Sequence, residues 1–419
     1  MALKGEITLP GDKSISHRAL MFTALGDGLS RIENLNPGAD VNTTKNALAN
    51  CGIHIEDKAG VIHVQGGGLR PFKQPEHALN CGNSGTTARL MMGLLAAHPI
   101  HVQFTGDPSL SQRPMDRVFR PLQQMGANVS ARNRKLLPVM LSGRDLWALD
   151  YELPYASAQV KSAILLAGLH ARGKTSVKSP AYSRDHTEQL LGAMGAKISI
   201  EGKTVLVEQL TKPLSAVDIV VPGDFSAAAF FIAGALLVPD SDLIIRKVGV
   251  NPTRTAFLNT TMEMGAQIDI VNKQEIHGEA VADLRVRYSH LKGVTIHPEE
   301  IPNQIDELPL IALLASQAEG ETIVRGAEEL RVKESDRIHS IVTNMSAWGV
   351  KIFERPDGFS IEGPGTLKGG KVKTFDDHRI AMSMAIAGLI SKAPAVLDNP
   401  DCVDISHPGF FSELRSLLS

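Results

Sequence analysis

Apolar runs with helical spacing alternate along the chain with short stretches in which apolar and polar residues trade places. Six times a polar or glycine-bearing cluster leads into an Ala- and Leu-rich run of helical character. The six begin near Gly11 (GDKSISHRALMFTAL), Gly82 (GNSGTTARLMMGLLA), Ala156 (ASAQVKSAILLAGL), Gly223 (GDFSAAAFFIAGALL), Ile305 (IDELPLIALLAS) and Asp376 (DDHRIAMSMAIAGLI), 67 to 82 residues apart. A second marker keeps the same period. Five further helical segments end in glycine and turn into alternating, strand-like sequence, at Gly52, Gly126, Gly195, Gly265 and Gly349. Glycine is the usual left-handed helix stop, and alternation is the mark of a half-buried strand. A sixth such segment, FFSELRSLLS, ends the sequence. Each unit therefore reads strand, helix, strand, helix, strand. At about 70 residues the period exceeds that of solenoids, so each repeat is an α/β module of its own.

The helix starts bear on chemistry. The first turn of a helix carries unpaired N–H groups and a partial positive charge, which suit an anion. Several of these starts also carry cations: Lys13 and Arg18, Arg89, Lys161, and Arg379. A cation at the positive end of a helix is locally unfavourable. Singly, each reads better as a solvated side chain; as a set they point to a negatively charged ligand.

Composition narrows the class. The chain has 419 residues, enough for two to four domains or one large pair. It is 43% hydrophobic and 21% charged, which fits a globular protein with a sizeable core. Lys plus Arg number 43 against 45 Asp plus Glu, so there is no basic excess of the kind a nucleic-acid binder shows. Cys51, Cys81 and Cys402 are scattered and odd in number, which argues against a disulfide framework or zinc ribbon and for a reducing cytoplasm. No signal, transit or membrane-spanning segment is expected.

Two motifs are decoys. GLHARGKT at Gly168–Thr175 matches the phosphate-loop pattern, but a helical segment precedes it and a strand-like one follows. That order is the reverse of what a phosphate loop needs, so a turn stopped by Gly173 is expected. In RDHTE, His186 and Glu188 are two apart and do not share a helix face, so no metal site is expected.

Other clusters are candidates. LPGDKSISHRAL offers Lys13, Ser14 and Arg18 around a Pro10-Gly11 turn, suited to carboxylate or phosphate. CGNSGTTAR, with Gly85 at its centre, is a small-residue helix entry that lets backbone approach a ligand. Arg113 and Arg117 flank Pro114 and read either as an anion clamp or as solvated. YASAQVKS supplies Ser157, Gln159 and Lys161. Asp306 and Glu307 stand at a helix start, where capping alone would explain them. RVKESDR packs Arg331, Lys333, Glu334, Asp336 and Arg337 into seven residues, and Glu334 with Arg337 reads also as a surface ion pair. FDDHR adds Asp376, Asp377, His378 and Arg379.

In this order, with the sixfold repeat, PGDKS-x-SHRA, GNSGTT-x-R, SLSQRPMDR, SAQVKSA, RVKESDR and DDHR resemble the 5-enolpyruvylshikimate-3-phosphate synthases, the 3-phosphoshikimate 1-carboxyvinyltransferases, over essentially the whole chain. RDHTE and Asn251-Pro252-Thr253-Arg254 match the second bacterial class, often associated with glyphosate tolerance. The resemblance implies an α/β (α+β) enolpyruvyl transferase fold of two domains, each with three βαβαββ repeats. The first domain would hold residues 1–10 and 224–419, the second 11–223, with hinges near 10–11 and 222–224. It also implies helix N-termini facing a cleft.

The implied reaction moves the enolpyruvyl group of phosphoenolpyruvate to the 5-hydroxyl of 3-phosphoshikimate through a tetrahedral intermediate, releasing phosphate. The implied catalytic residues are Asp306 (base for the hydroxyl), Glu334 (proton donor to the methylene carbon) and Lys13. Lys13, Ser14, Arg18, Ser157, Gln159, Asp306 and Lys333 would hold 3-phosphoshikimate. Lys13, Gly85, Arg113, Gln159, Arg337 and Arg379 would hold phosphoenolpyruvate. No metal or organic cofactor is implied; the resemblance implies a cytoplasmic monomer with small-molecule substrates, no nucleic acid and no membrane. The sequence departs from the better-known class at Ala158, Ile405, Glu329 and Ser109. The sister transferases acting on UDP-N-acetylglucosamine carry a loop cysteine that GDPSLSQRPMD lacks, and a Lys-Asn pair where this chain has Lys13-Ser14. A non-catalytic anion binder would lose Asp306, Glu334 or Lys13, and all three are present.

Overall fold

The computed structural model describes residues 2–419. The chain divides into two compact units: Met1–Pro10, Pro222–Glu275 and Ala280–Ser419 in unit 1, and Gly11–Val221 with Ile276–Glu279 in unit 2. Each has its own continuous apolar core.

All twelve helices expected from the two markers are present. The first helices of the six repeats are α1 (Lys13–Thr23), α3 (Gly85–Leu95), α5 (Ala158–Gly168), α7 (Phe225–Leu237), α9 (Leu308–Ala315) and α11 (His378–Ala387). The second helices are α2 (Ala39–Asn50), α4 (Asp116–Gln124), α6 (His186–Ala193), α8 (Ala256–Glu263), α10 (Arg337–Ala347) and α12 (Phe410–Leu417). The five glycines after α2, α4, α6, α8 and α10 have φ between +87° and +113°, the left-handed stop their pattern announces.

Each repeat lays down one small sheet. In the repeat that starts at Leu79, strands Leu79–Asn80, His101–Thr105, Leu136–Ser142 and Asn128–Arg132 lie in that spatial order. The first pair is parallel and the others antiparallel. The same order recurs in five sheets. The sixth holds only the parallel pair Gly370–Val372 and Ala395–Leu397. The repeats are also closed through the termini of each unit: Lys4–Thr8 pairs with Asp242–Gly249, and Leu214–Ser215 and Ile219–Val220 pair with Gly26–Glu33.

In each unit the first helices pack on one another, α1 and α5 on α3, and α7, α9 and α11 mutually. This explains why those runs are apolar all round rather than striped: every residue of α7 is buried. The second helices are half exposed.

Side chains stop five of these six first helices at their N-termini. Asp12 accepts from Ile15 N–H, Ser84 from Thr87 N–H, Ser157 from Val160 N–H, Asp224 from Ser226 N–H and Asp377 from Arg379 N–H. Each such cap is worth about 1 kcal/mol. The exception is α9, which is entered through a 3₁₀ turn, Ile305–Glu307, with no side-chain cap. Capping therefore does not account for Asp306 and Glu307.

The GKT decoy lies as its context demands. Helix α5 ends at Gly168, Gly173 makes the turn at φ +109°, and a strand starts at Lys174.

The core of unit 2 holds two histidines in edge contact, His98 and His170, with ring centroids 5.1 Å apart. Burial and the charge of Arg70 push His98 down to about 4. Burial, His98 and Arg70 push His170 down to about 3. Both are neutral in the fold and protonatable once unfolded. They add no pH dependence above about pH 6.5. Below it the unfolded chain binds protons that the fold does not, so stability falls until the folded values are reached. Each histidine should contribute about 1.4 kcal/mol per pH unit on the way down. Thermal unfolding of unit 2 between pH 6.5 and 4 should show this slope, and His98→Gln with His170→Gln should flatten it. An equal slope in the double variant would refute the assignment.

Candidate active site

In unit 2, the N-terminal turns of α1, α3 and α5 are joined by side-chain hydrogen bonds. Lys13 Nζ lies 3.1 Å from Asp40 Oδ2, a partner near the start of α2. Ser14 Oγ accepts from Arg184 Nη1 at 3.0 Å. Arg18 is buried and donates to Thr187 Oγ1, Ser162 Oγ and the Ser14 carbonyl, at 2.7, 2.8 and 2.9 Å. Burial, with Arg184 next to it, pushes the Arg18 pKa down to about 10, so it remains a cation at neutral pH.

Gly85 opens α3. A methyl group there would lie 2.6 Å from Arg89 Nη1 and 3.5 Å from Arg113 Nη1. The absent side chain thus lets two guanidinium groups close on one helix start. Arg113 donates to Asn83 Oδ1 at 2.7 Å and Ser109 Oγ at 3.1 Å, which orient its guanidinium. Gln159 is clamped in the first turn of α5: it accepts from Arg89 Nη1 at 2.8 Å and donates to Thr86 Oγ1 at 2.9 Å. Ser157, the α5 cap, is half-buried.

In unit 1, Asp306 is the centre of a cation cluster. Its Oδ1 lies 3.3 Å from Arg337 Nη1, 3.8 Å from Lys333 Nζ and 3.9 Å from Arg379 Nε. Arg337 also binds Glu334 Oε2 at 2.6 Å and Asp377 Oδ2 at 2.8 Å. Arg337 is only 1% exposed. Burial works against its charge, but Asp377, Glu334 and Asp306 outweigh that and hold its pKa above the ordinary value. The Glu334–Arg337 pair is therefore a part-buried link in a carboxylate–guanidinium network and not a surface ion pair. Removing Arg337, the cation that Asp306, Glu334 and Asp377 share, would cost far more than a surface pair is worth.

Some residues take other places than the sequence suggests. Lys161 does not face a ligand: it is 4% exposed, and its Nζ lies 2.5 Å from Glu188 Oε1 on α6. Burial raises the Glu188 pKa, and Lys161 works against that rise. Lys161 and Glu188 thus neutralise one another beneath the helix starts. Arg117 is half-buried, with its guanidinium 4.3 Å above the Tyr155 ring.

Sequence reasoning missed several polar residues here. Asp40 carries no local signal. Arg184, which reaches Ser14, lies in the motif set aside as a metal decoy. Arg254 sits in the Asn-Pro-Thr-Arg pattern but gains meaning only from Glu307, whose two carboxylate oxygens it binds at 2.9 Å each. Ser226 donates to Glu307 and accepts from Arg254 and Arg379.

Among the described residues, no group of three or more His, Cys, Asp or Glu could hold a metal ion, and no helix is long and apolar enough to cross a membrane.

A family model described as EPSP synthase (3-phosphoshikimate 1-carboxyvinyltransferase) matches residues 1–414. The 3-phosphoshikimate 1-carboxyvinyltransferase of Carboxydothermus hydrogenoformans is 50% identical over 416 residues, covering 99% of this chain and 97% of that protein. That of Persephonella marina is 47% identical over 421 residues, covering 100% and 98%. The structure of EPSP synthase from Acinetobacter baumannii superposes with a TM-score of 0.88 at 40% identity, covering 99% of this chain and 96% of that one. The enolpyruvyl transferase NikO from Streptomyces tendae superposes at 0.80 with 17% identity, a likeness of fold alone.

Proposed function

Because the chain belongs to the EPSP synthase family, we propose that it transfers the enolpyruvyl group of phosphoenolpyruvate to the 5-hydroxyl of 3-phosphoshikimate, releasing phosphate, with the residues described above in the following roles. Asp306 takes the proton of the 5-hydroxyl. Glu334 delivers a proton to the methylene carbon, and Lys13 shares in proton transfer. The hydroxyl oxygen bonds to the carbon that bears the phosphate, giving a tetrahedral intermediate. Loss of phosphate and of a methyl proton then restores the double bond in the product. Lys13, Ser14, Arg18, Ser157, Gln159, Asp306 and Lys333 hold 3-phosphoshikimate. Lys13, Gly85, Arg113, Gln159, Arg337 and Arg379 hold phosphoenolpyruvate.

The observation that carries these roles is the setting of Asp306. Three cations lie within 4 Å of its carboxylate, which places an acid–base group and positive charge for an anionic substrate side by side. Arg18, charged although buried, offers positive charge to a phosphate in unit 2.

The repeats support a division into domains of residues 1–10 with 224–419 and 11–223. Three buried free cysteines support a reducing compartment and a cytoplasmic location. We take the protein to act as a monomer, on small molecules and not on nucleic acid.

Purified protein should release phosphate only when both 3-phosphoshikimate and phosphoenolpyruvate are supplied. Lys13→Ala should lower the rate by at least about 10²-fold, the worth of a positioned acid–base group. Folded wild-type protein that releases none would sink the substrate assignment, and UDP-N-acetylglucosamine would be offered next.

A further inference from the structure

Asp306 and Glu307 are neighbours in one 3₁₀ turn, yet their carboxylates serve different partners. Glu307 is 1% exposed and is bound through both oxygens by Arg254, itself 4% exposed. Burial disfavours the charge of Arg254, but Glu307 more than compensates and raises its pKa. Arg379 Nη1 comes within 3.6 Å of Glu307 Oε1. It donates instead to Ser226 Oγ at 3.1 Å and to the Asp306 carbonyl at 3.2 Å. Ser226 Oγ is also bonded to Glu307 and to Arg254, so the four side chains meet at one hydroxyl.

A buried carboxylate binds whatever cation can reach it, because an unpaired charge in the interior is costly. Two guanidinium groups compete for Glu307. Arg254 wins by geometry, since the bidentate fork satisfies both oxygens at once. Arg379 is left 3.6 Å from Glu307 and 3.9 Å from Asp306, with hydrogen bonds only to neutral oxygens.

We infer that Arg254 and Ser226 are positioning residues for phosphoenolpyruvate: by occupying Glu307 they keep it from capturing the Arg379 guanidinium, which can then bind the anionic substrate. The inference rests on the assignment of Arg379 to phosphoenolpyruvate above. It gives the Asn-Pro-Thr-Arg segment a task that the reaction scheme alone does not.

Steady-state phosphate release with each substrate varied in turn tests it. In Arg254→Met, Glu307 should capture Arg379. The KM for phosphoenolpyruvate should rise about tenfold or more, the loss of one hydrogen bond to a charged group. The KM for 3-phosphoshikimate should stay within about twofold. Adding Glu307→Gln to Arg254→Met removes the competing charge and should restore most of the phosphoenolpyruvate KM. A merely structural role for Arg254 would give no such rescue. Should Arg254→Met not fold, Ser226→Ala carries the test: losing the acceptor of Arg379 should raise the phosphoenolpyruvate KM selectively, by about tenfold at most. Equal changes in both KM values, no change in either, or a double variant as impaired as Arg254→Met would overturn the inference. Wild-type protein is assayed first. Its inactivity would mean that the reaction is wrongly assigned, whereas an active wild type with unselective variants would refute only the role of Arg254 and Ser226.

Discussion

Asp306→Asn lowers kcat for phosphate release by about 10²- to 10⁴-fold, the range for losing a positioned general base. The substitution keeps the shape of the side chain and removes its ability to take a proton. The fold should survive it, because Arg337 retains Asp377 at 2.8 Å and Glu334 at 2.6 Å when Asp306 loses its charge. Lys333, 29% exposed at its side chain, can turn to water. The thermal midpoint should therefore move little while turnover collapses. Asp306→Ala should give the same fall in kcat. An Asp306→Asn enzyme within tenfold of wild-type turnover would show that another group accepts the proton.

Gly93→Ala destabilises unit 2 by about 3 kcal/mol, at the upper end of ordinary overpacking. Helix propensity alone predicts the opposite sign, since alanine is favoured over glycine in a helix interior by about 1 kcal/mol. Packing decides the matter. Gly93 lies in α3 where it crosses α5, and an added methyl carbon would lie 2.2 Å from the Ala163 carbonyl oxygen and 2.7 Å from Ala163 C and Cα. These are backbone atoms in a helix, with no rotamer to move them aside, so the helices must separate. For a unit of this size the midpoint should fall by on the order of 10 °C. The same two helices carry Thr86 and Gln159, 2.9 Å apart, so a separation should also raise the phosphoenolpyruvate KM. An unchanged or raised midpoint would mean that the helices have room that their spacing denies.

The six repeats, their twelve helices, the glycine stops and the failure of the GKT motif as a phosphate loop were all legible in the sequence. Each is set within a few residues, by helical spacing, by side-chain caps such as Asp12 and Ser84, and by the φ that only glycine adopts freely. The candidate polar residues were legible too, through the motifs that contain them. Their partners were not. Nothing local distinguishes Lys161, cancelled by Glu188 27 residues on, from Lys13, which stays partly open to solvent. Nothing near Arg254 announces Glu307, 53 residues away, and Arg18 reaches Thr187 across 169 residues. The repeat itself creates this separation. Equivalent helix starts lie about 70 residues apart in the chain, and only packing of the first helices brings them side by side. Local backbone preference thus determines the elements, while burial and charge pairing, which depend on the assembled core, decide which cations remain for a substrate.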